Sequence, residues 1–367
     1  MQRPLILITA LTALVAACGE HTVSSALDGP SATVVGPSLA QNPNSKRPGT
    51  TVIVYDDFHA AGGYTLADYN AKWTTFTLGE MAIKDTRRFD NHTLSISATP
   101  FRTGKDSSVS DHAKYTALSK QVFAVPEIGS ITVSMDIVAE TPGTVEGHVV
   151  HGTYAQSGAP YAATVLQGQQ AAVTLHMIDF ATGQLFDWFV SGNTAFPLYE
   201  RLPSIVSGSA EHVSTDKMYT QITREVPIAA GVPHTVAIRY SRDRRRSRVE
   251  YLLDGRRVSR VERVGIPLDA QGVKYSGIYP SLGPGELLRD KINSVAIAHG
   301  LFSLLDAFPF QHPDAPALNV SVPLRERLFG QGVRAKFANV VVTIEDRTTP
   351  STGEHTHDAE SERADDR

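Results

Sequence analysis

Apolar and polar residues alternate with a period of two over much of this chain, and turn residues interrupt the alternation at short intervals. Successive side chains of an extended strand point to opposite faces, so this pattern specifies half-buried antiparallel strands. The clearest segments are Thr51 to Tyr55, Thr93 to Ala98, Ser130 to Val138, Ala172 to Ile178, Leu185 to Val190, His234 to Tyr240, Arg248 to Leu253 and Lys336 to Ile344. Helical periodicity is scarce. It is expected near Ile292 to Phe308, where Leu301, Leu304, Leu305 and Phe308 recur at three and four residues before Pro309 stops the run. Many short strands and little helix give an all-β class, a sandwich with one short helical insertion.

The N-terminus has its own logic. A basic start at Arg3 precedes a mainly apolar stretch of 13 residues, Leu5 to Ala17, too few for a spanning helix of roughly 20 residues and suited to a signal peptide. Val15-Ala16-Ala17-Cys18 resembles the bacterial lipobox, which implies cleavage before Cys18 and acylation of its thiol. That places the protein outside the cytoplasm, lipid-anchored to the bacterial cell envelope. Cys18 is the only cysteine, so no intramolecular disulfide can form and the fold rests on its core. Residues 18–50, rich in Ser, Ala, Pro, Gly and Asn, read as a flexible tether. Residues 51–346 form one sandwich domain, and 347–367 form an acidic disordered tail.

Residues 351–367 hold six acids and two bases, which accounts for the whole formal charge of −4, so everything before them sums to zero. Overall charge therefore implies no nucleic-acid partner. Arginines are nevertheless concentrated locally. Arg242, Arg244, Arg245, Arg246 and Arg248 lie at a hairpin tip, with Arg256, Arg257, Arg260 and Arg263 beyond the next turn. They suit either contact with phosphate-bearing lipid or acidic polysaccharide, or a solvated hairpin whose charges block edge pairing.

Several segments together resemble the concanavalin A-like lectin and glucanase superfamily, with its jelly-roll sandwich. His234-Thr235-Val236-Ala237-Ile238-Arg239-Tyr240 precedes a charged turn and Val249-Glu250-Tyr251-Leu252-Leu253-Asp254-Gly255. The Asp-Gly pair supplies the positive φ angles of a two-residue type I′ turn. Tyr55-Asp56-Asp57-Phe58 with Trp73 resembles the first strand of such domains, and Val333 to Val342 the last. The resemblance implies a polysaccharide or glycan as partner. It also implies a structural calcium, although Ala338 stands where the last strand usually has its aspartate, leaving Asp56 and Asp57 as candidate ligands.

Glucanases of this superfamily carry E-x-D-x-x-E or E-x-D-x-E on one strand, placing nucleophile and acid/base on one face. In Leu185-Phe186-Asp187-Trp188-Phe189-Val190, Asp187 matches the middle acid, but Leu185 replaces the first glutamate, and Phe189 or Val190 the second. Ser134 to Glu140 fails similarly, with Ser134 in the first place and Glu140 out of phase. This excludes a glucanase of that design. The leading expectation is a glycan-binding surface on Asp187, Trp188, Tyr199 and Arg201, with His299 and His312 on an aromatic-rich segment over one mouth. The alternative is a polysaccharide lyase acting on uronic-acid polymers, since Lys274 to Tyr279 resembles a strand of alginate lyases. Its candidate catalytic residues are His151, Tyr275 and Tyr279. A third reading is a structural envelope module that binds protein through residues 299–314.

Overall fold

The computed structural model describes residues 49–76, 87–90, 92–102, 112–202, 204–209, 211–212, 219–268, 271, 276–279, 287–307, 317 and 319–348. Every strand read from the alternation is present. Thr93–Ala98 has the expected bounds, and the others extend by one to three residues at an end, as in Gly129–Glu140 and Val333–Asp346.

Two antiparallel sheets stack. The eight-stranded sheet runs, edge to edge, Arg256–Val261, Ser247–Leu253, His234–Arg242, Gly129–Glu140, Val333–Asp346, Thr93–Ala98 and Arg88–Asp90, with Thr50–Asp56 also paired to Val333–Asp346. The ten-stranded sheet runs Ser276–Tyr279, Tyr219–Ile222, Thr194–Arg201, Gln184–Val190, Ala172–Asp179, Ser294–Phe302, Ala113–Ser119 and Trp73–Phe76, with two short strands off that path. Between them lies one continuous core, to which Ile131, Val133, Leu175, Trp188, Tyr251 and Phe337 contribute. A separate sheet of Val320–Ser321, Val149–Tyr154 and Pro160–Thr164 has its own small cluster around Val150, Leu305 and Val322.

The turn chemistry explains the register. Asp254 and Gly255 adopt φ of 50° and 75°, and the hairpin they close pairs Ser247–Leu253 with Arg256–Val261. A second hairpin joins Ala172–Asp179 to Gln184–Val190. Asp179 accepts from the Thr182 hydroxyl at 2.6 Å and the Ala181 N–H at 3.1 Å, and Gly183 takes φ of 73°. This hairpin sets Asp179 opposite Gln184 and therefore His176 opposite Asp187.

The helix expected over Ile292 to Phe308 is corrected. Ser294–Phe302 is a strand inside the ten-stranded sheet, followed only by a short 3-10 helix at Leu304–Ala307. Both faces of that strand are covered, so apolar residues fill odd and even positions alike and the period of two disappears from the sequence. His299 thus belongs to a central strand and not to a segment lying over one mouth. His312 lies outside the described residues, as do Cys18, the leader, the tether and the tail beyond Thr348.

Candidate functional site

Strand alternation divides the expected site residues between two faces. Trp188, Tyr199 and Arg201 point into the sandwich. Trp188 donates its indole N–H to the Ala237 carbonyl at 3.0 Å, tying one sheet to the other, and meets Tyr251 edge-on. Tyr199 is fully buried, 3.4 Å from the Tyr219 hydroxyl, and accepts the Gly265 N–H. Arg201 donates to the Thr182 carbonyl at 3.1 Å and to Glu211 at 3.2 Å. His299 is buried as well. Its Nε2 lies 2.8 Å from the Tyr69 hydroxyl, which meets the Tyr115 hydroxyl at 2.7 Å. Burial pushes the His299 imidazole down to about 3, with His176 adding a smaller push in the same direction. These four residues are core, and a glycan surface built on them is corrected. Adjacent residues of a strand, such as Asp187 and Trp188, cannot share a face.

Asp187 points the other way, onto the outer face of the ten-stranded sheet. The register rows there are His176, Asp187 and Leu198, and then Ile178, Leu185 and Glu200. His176 Nδ1 lies 2.6 Å from Asp187 Oδ1, and its Nε2 lies 2.7 Å from the Thr174 hydroxyl. Burial pushes His176 down to about 3 and Asp187 well above the usual carboxylate range. Burial thus disfavours charge on both partners of this short contact, and the second imidazole nitrogen is satisfied by the Thr174 hydroxyl. Glu200, diagonal to Asp187 across the strand pair, is also raised well above its ordinary value, first by burial and second by the nearby Asp187 charge.

One end of this outer face is closed. Ala172, Phe189, Phe196, Leu198, Ile222 and Phe302 pack into a second apolar cluster with Leu304 of the 3-10 helix. The short helix Gln167–Gln170 lies against it so closely that a Cβ on Gly168 would stand 2.0 Å from the Phe196 ring. Toward the other end Ile178, Leu185 and Glu200 are only half-buried. Asp187 and His176 sit at the boundary.

A carboxyl pair therefore exists, but across two strands rather than along one. A search for acids at i, i+2 and i+4 misses it. The available signal was the hairpin at Asp179 to Gly183, which fixes His176 opposite Asp187, and the phase of Thr194–Arg201, which puts Glu200 on the outer face and Tyr199 and Arg201 on the inner one.

The lyase candidates separate. His151 lies on the small third sheet, its exposed ring 3.4 Å from Glu326, and is not on the face that carries Asp187. Tyr275 lies outside the described residues. The backbone of Tyr279 pairs opposite Thr220, which pairs opposite Glu200, so its register position is on the row of Leu185 and Glu200.

Asp56 does not suit calcium. Its Oδ1 accepts the Lys72 ammonium at 2.8 Å, and its Oδ2 accepts the Trp73 indole N–H and the Tyr64 hydroxyl, each at 2.7 Å. A divalent ion would have to displace a cation and two donors. Asp57 caps the His59 N–H at 3.2 Å. Among the described residues no three His, Cys, Asp or Glu side chains converge as metal ligands. The arginine cluster is also revised. Arg242 is not at the solvated tip but buried, clamping the carbonyls of Pro126, Val125, Arg289 and Ile292.

A family model matches residues 55–346. The chain belongs to DUF6081, a family of unknown function. Among curated proteins none matches it in sequence. Solved structures similar to it are sandwiches at low identity. An endo-1,3-beta-glucanase from Streptomyces sioyaensis is 11% identical with a TM-score of 0.37, covering 82% of this chain and 99% of that one. An alginate lyase from Klebsiella pneumoniae is 8% identical with a TM-score of 0.33, covering 74% and 95%. A carbohydrate-binding module from Bacillus subtilis is 10% identical with a TM-score of 0.28, covering 73% and 93%.

Proposed function

We propose that the protein binds a glycan on the outer face of its ten-stranded sheet, at the half-buried rim formed by Glu200 and Leu185 beside the His176–Asp187 pair. The observation that carries this reading is the gathering of two carboxyl groups and an imidazole where a closed apolar face becomes accessible. A few converging polar groups on an apolar floor are what a small polar ligand requires. Both acids are held toward their protonated forms, so they can donate as well as accept hydrogen bonds from sugar hydroxyls. A glycan array probed with the full chain, followed by calorimetry of any hit, tests this. Binding that weakens about threefold to tenfold in Glu200→Gln supports it, since a hydrogen bond between uncharged groups contributes roughly 0.5–1.5 kcal/mol. No binding across the array, or binding indifferent to Glu200, overturns it.

One observation favours a second reading, a polysaccharide lyase. The register position of Tyr279 is on the row of Glu200, two strands from it and four strands from His176. Formation of unsaturated product from acidic polysaccharides, lost in Tyr279→Phe, would establish it. Against it, no cation stands beside Glu200 among the face positions of the described residues to neutralise a uronate.

We also propose that the protein works at the bacterial cell envelope, held by a lipid on Cys18. Detergent-phase partitioning that disappears in Cys18→Ser checks this, and an unchanged partition rejects it. Among the described residues no helix is long and apolar enough to cross a membrane.

A further inference from the structure

The outer face of the other sheet holds an ordered array that the glycan reading does not use. One register row crosses six strands as Val52, Thr343, Thr132, Arg239, Glu250 and Arg260. The next runs Val54, Val341, Ser134, Ala237, Leu252 and Arg257. Both rows start at an exposed valine at one edge and end at an arginine at the other. Five strand spacings of roughly 4.8 Å make this a face about 24 Å wide.

The side chains at its ends are available. Val52 and Val54 are 53% and 60% exposed, although valine on a strand usually packs inward. The Arg257 and Arg239 side chains are 54% and 40% exposed, and both lean on Glu250, at 2.9 and 3.7 Å. Glu250 is itself only 10% exposed, and it is the sole acid in the two rows. Arg260 reaches Glu262 at 3.0 Å beyond the edge. On the flanking rows, Asp136 accepts from Thr235 and Asn339, and Glu345 from Ser130, with Arg347 at 3.5 Å. The arginine side of the face therefore carries three cations against Glu250 and Glu262, an excess of one, and the exposed valines are at the opposite edge.

We propose that this face docks on an anionic lipid surface, the arginines on headgroup phosphates and Val52 and Val54 at the acyl boundary. An array spread over two rows and six strands matches a surface, whereas a linear polyanion would touch one row at a time. Arginine on phosphate supplies bidentate hydrogen bonds as well as charge. Apolar side chains and cations on one face are the combination that holds a protein at a bilayer interface. The inference is independent of the glycan site, which is on the opposite outer face.

The test uses the full chain carrying Cys18→Ser, so that no acyl chain can report binding. It is sedimented with vesicles of phosphatidylcholine alone and of phosphatidylcholine with phosphatidylglycerol. Binding is expected only to the second, falling as salt shortens the screening length. The triple variant Arg239→Gln, Arg257→Gln, Arg260→Gln is expected to weaken it about 100-fold, at about 1 kcal/mol per arginine. Glu250→Gln is expected to act oppositely, tightening binding about fivefold. Thermal melts by circular dichroism confirm that the variants are folded. Equal sedimentation with neutral vesicles, a triple variant that binds like its parent, or preferential capture of soluble dextran sulfate over vesicles would each overturn the proposal.

Discussion

Asp56 and Asp187 are both buried aspartates on sandwich strands, yet their surroundings treat them oppositely. Asp56 accepts four donors, the Phe58 N–H, the Tyr64 hydroxyl, the Trp73 indole and the Lys72 ammonium. The helix Leu66–Lys72 delivers that ammonium, and its start is fixed by a capping box between Thr65 and Asp68. Asp187 has one partner, a neutral imidazole, and sits beside a second acid. A carboxylate ringed by donors welds the first strand to the helix. A buried carboxyl group short of donors is pushed toward its protonated form, which leaves it able to exchange a proton or a ligand.

The largest effect should come from breaking the first arrangement. Asp56→Ala leaves an ammonium, an indole N–H and a phenol without their acceptor. A loss of about 3 kcal/mol in urea-melt stability is expected. A loss below about 1 kcal/mol would show that water replaces the carboxylate and that the two aspartates differ less than their contacts imply.

Acid titration sharpens the contrast. His176 and His299 are lowered from 6.5 to about 3 in the folded chain. Between those values the unfolded chain takes up protons that the folded one refuses, so each histidine's contribution is intact above 6.5 and is lost as pH falls toward 3. Asp187 is raised, so its contribution is full below the unfolded value near 3.8 and is lost as pH rises through the folded one. Over the pH window from 4 to 6 the two members of the pair oppose each other. Asp187→Asn removes the compensating member and should steepen acid destabilisation by about 1.4 kcal/mol per pH unit, measured by denaturant melts at several pH values. An unchanged slope would mean that Asp187 is ionised in the fold. At pH 7 the same variant should cost no more than about 1 kcal/mol, because an amide can still donate to Nδ1.

Strand positions were legible in the sequence because most strands bury one face against the core and leave the other partly wet. Alternation fails for Ser294–Phe302, which is covered on both sides. The site was less legible, for a different reason. A binding row is assembled across strands, and its members are separated in sequence by hairpins whose lengths set the register. Asp187 is identifiable from its own strand, but its companions are on the neighbouring strands. Trp188 was grouped with it although neighbouring residues face apart. The same rule, applied to Tyr199-Glu200-Arg201, selects Glu200 for the outer face and sends the other two into the core.

The smallest expected effect falls on that residue. Glu200 is half-buried at the rim of the outer face, so Glu200→Gln keeps the volume and most of the packing, and stability should change by less than about 0.5 kcal/mol. If Glu200 and Asp187 repel each other, the variant relieves that repulsion, and the Asp187 carboxyl should ionise at lower pH. The shift is readable directly as a lower midpoint of the Asp187 carboxyl resonance in an NMR pH titration. Glu200→Gln with no such shift would place the two acids too far apart to share a ligand, and the outer face would then resemble the Asp56 end of the molecule, polar groups serving the fold alone.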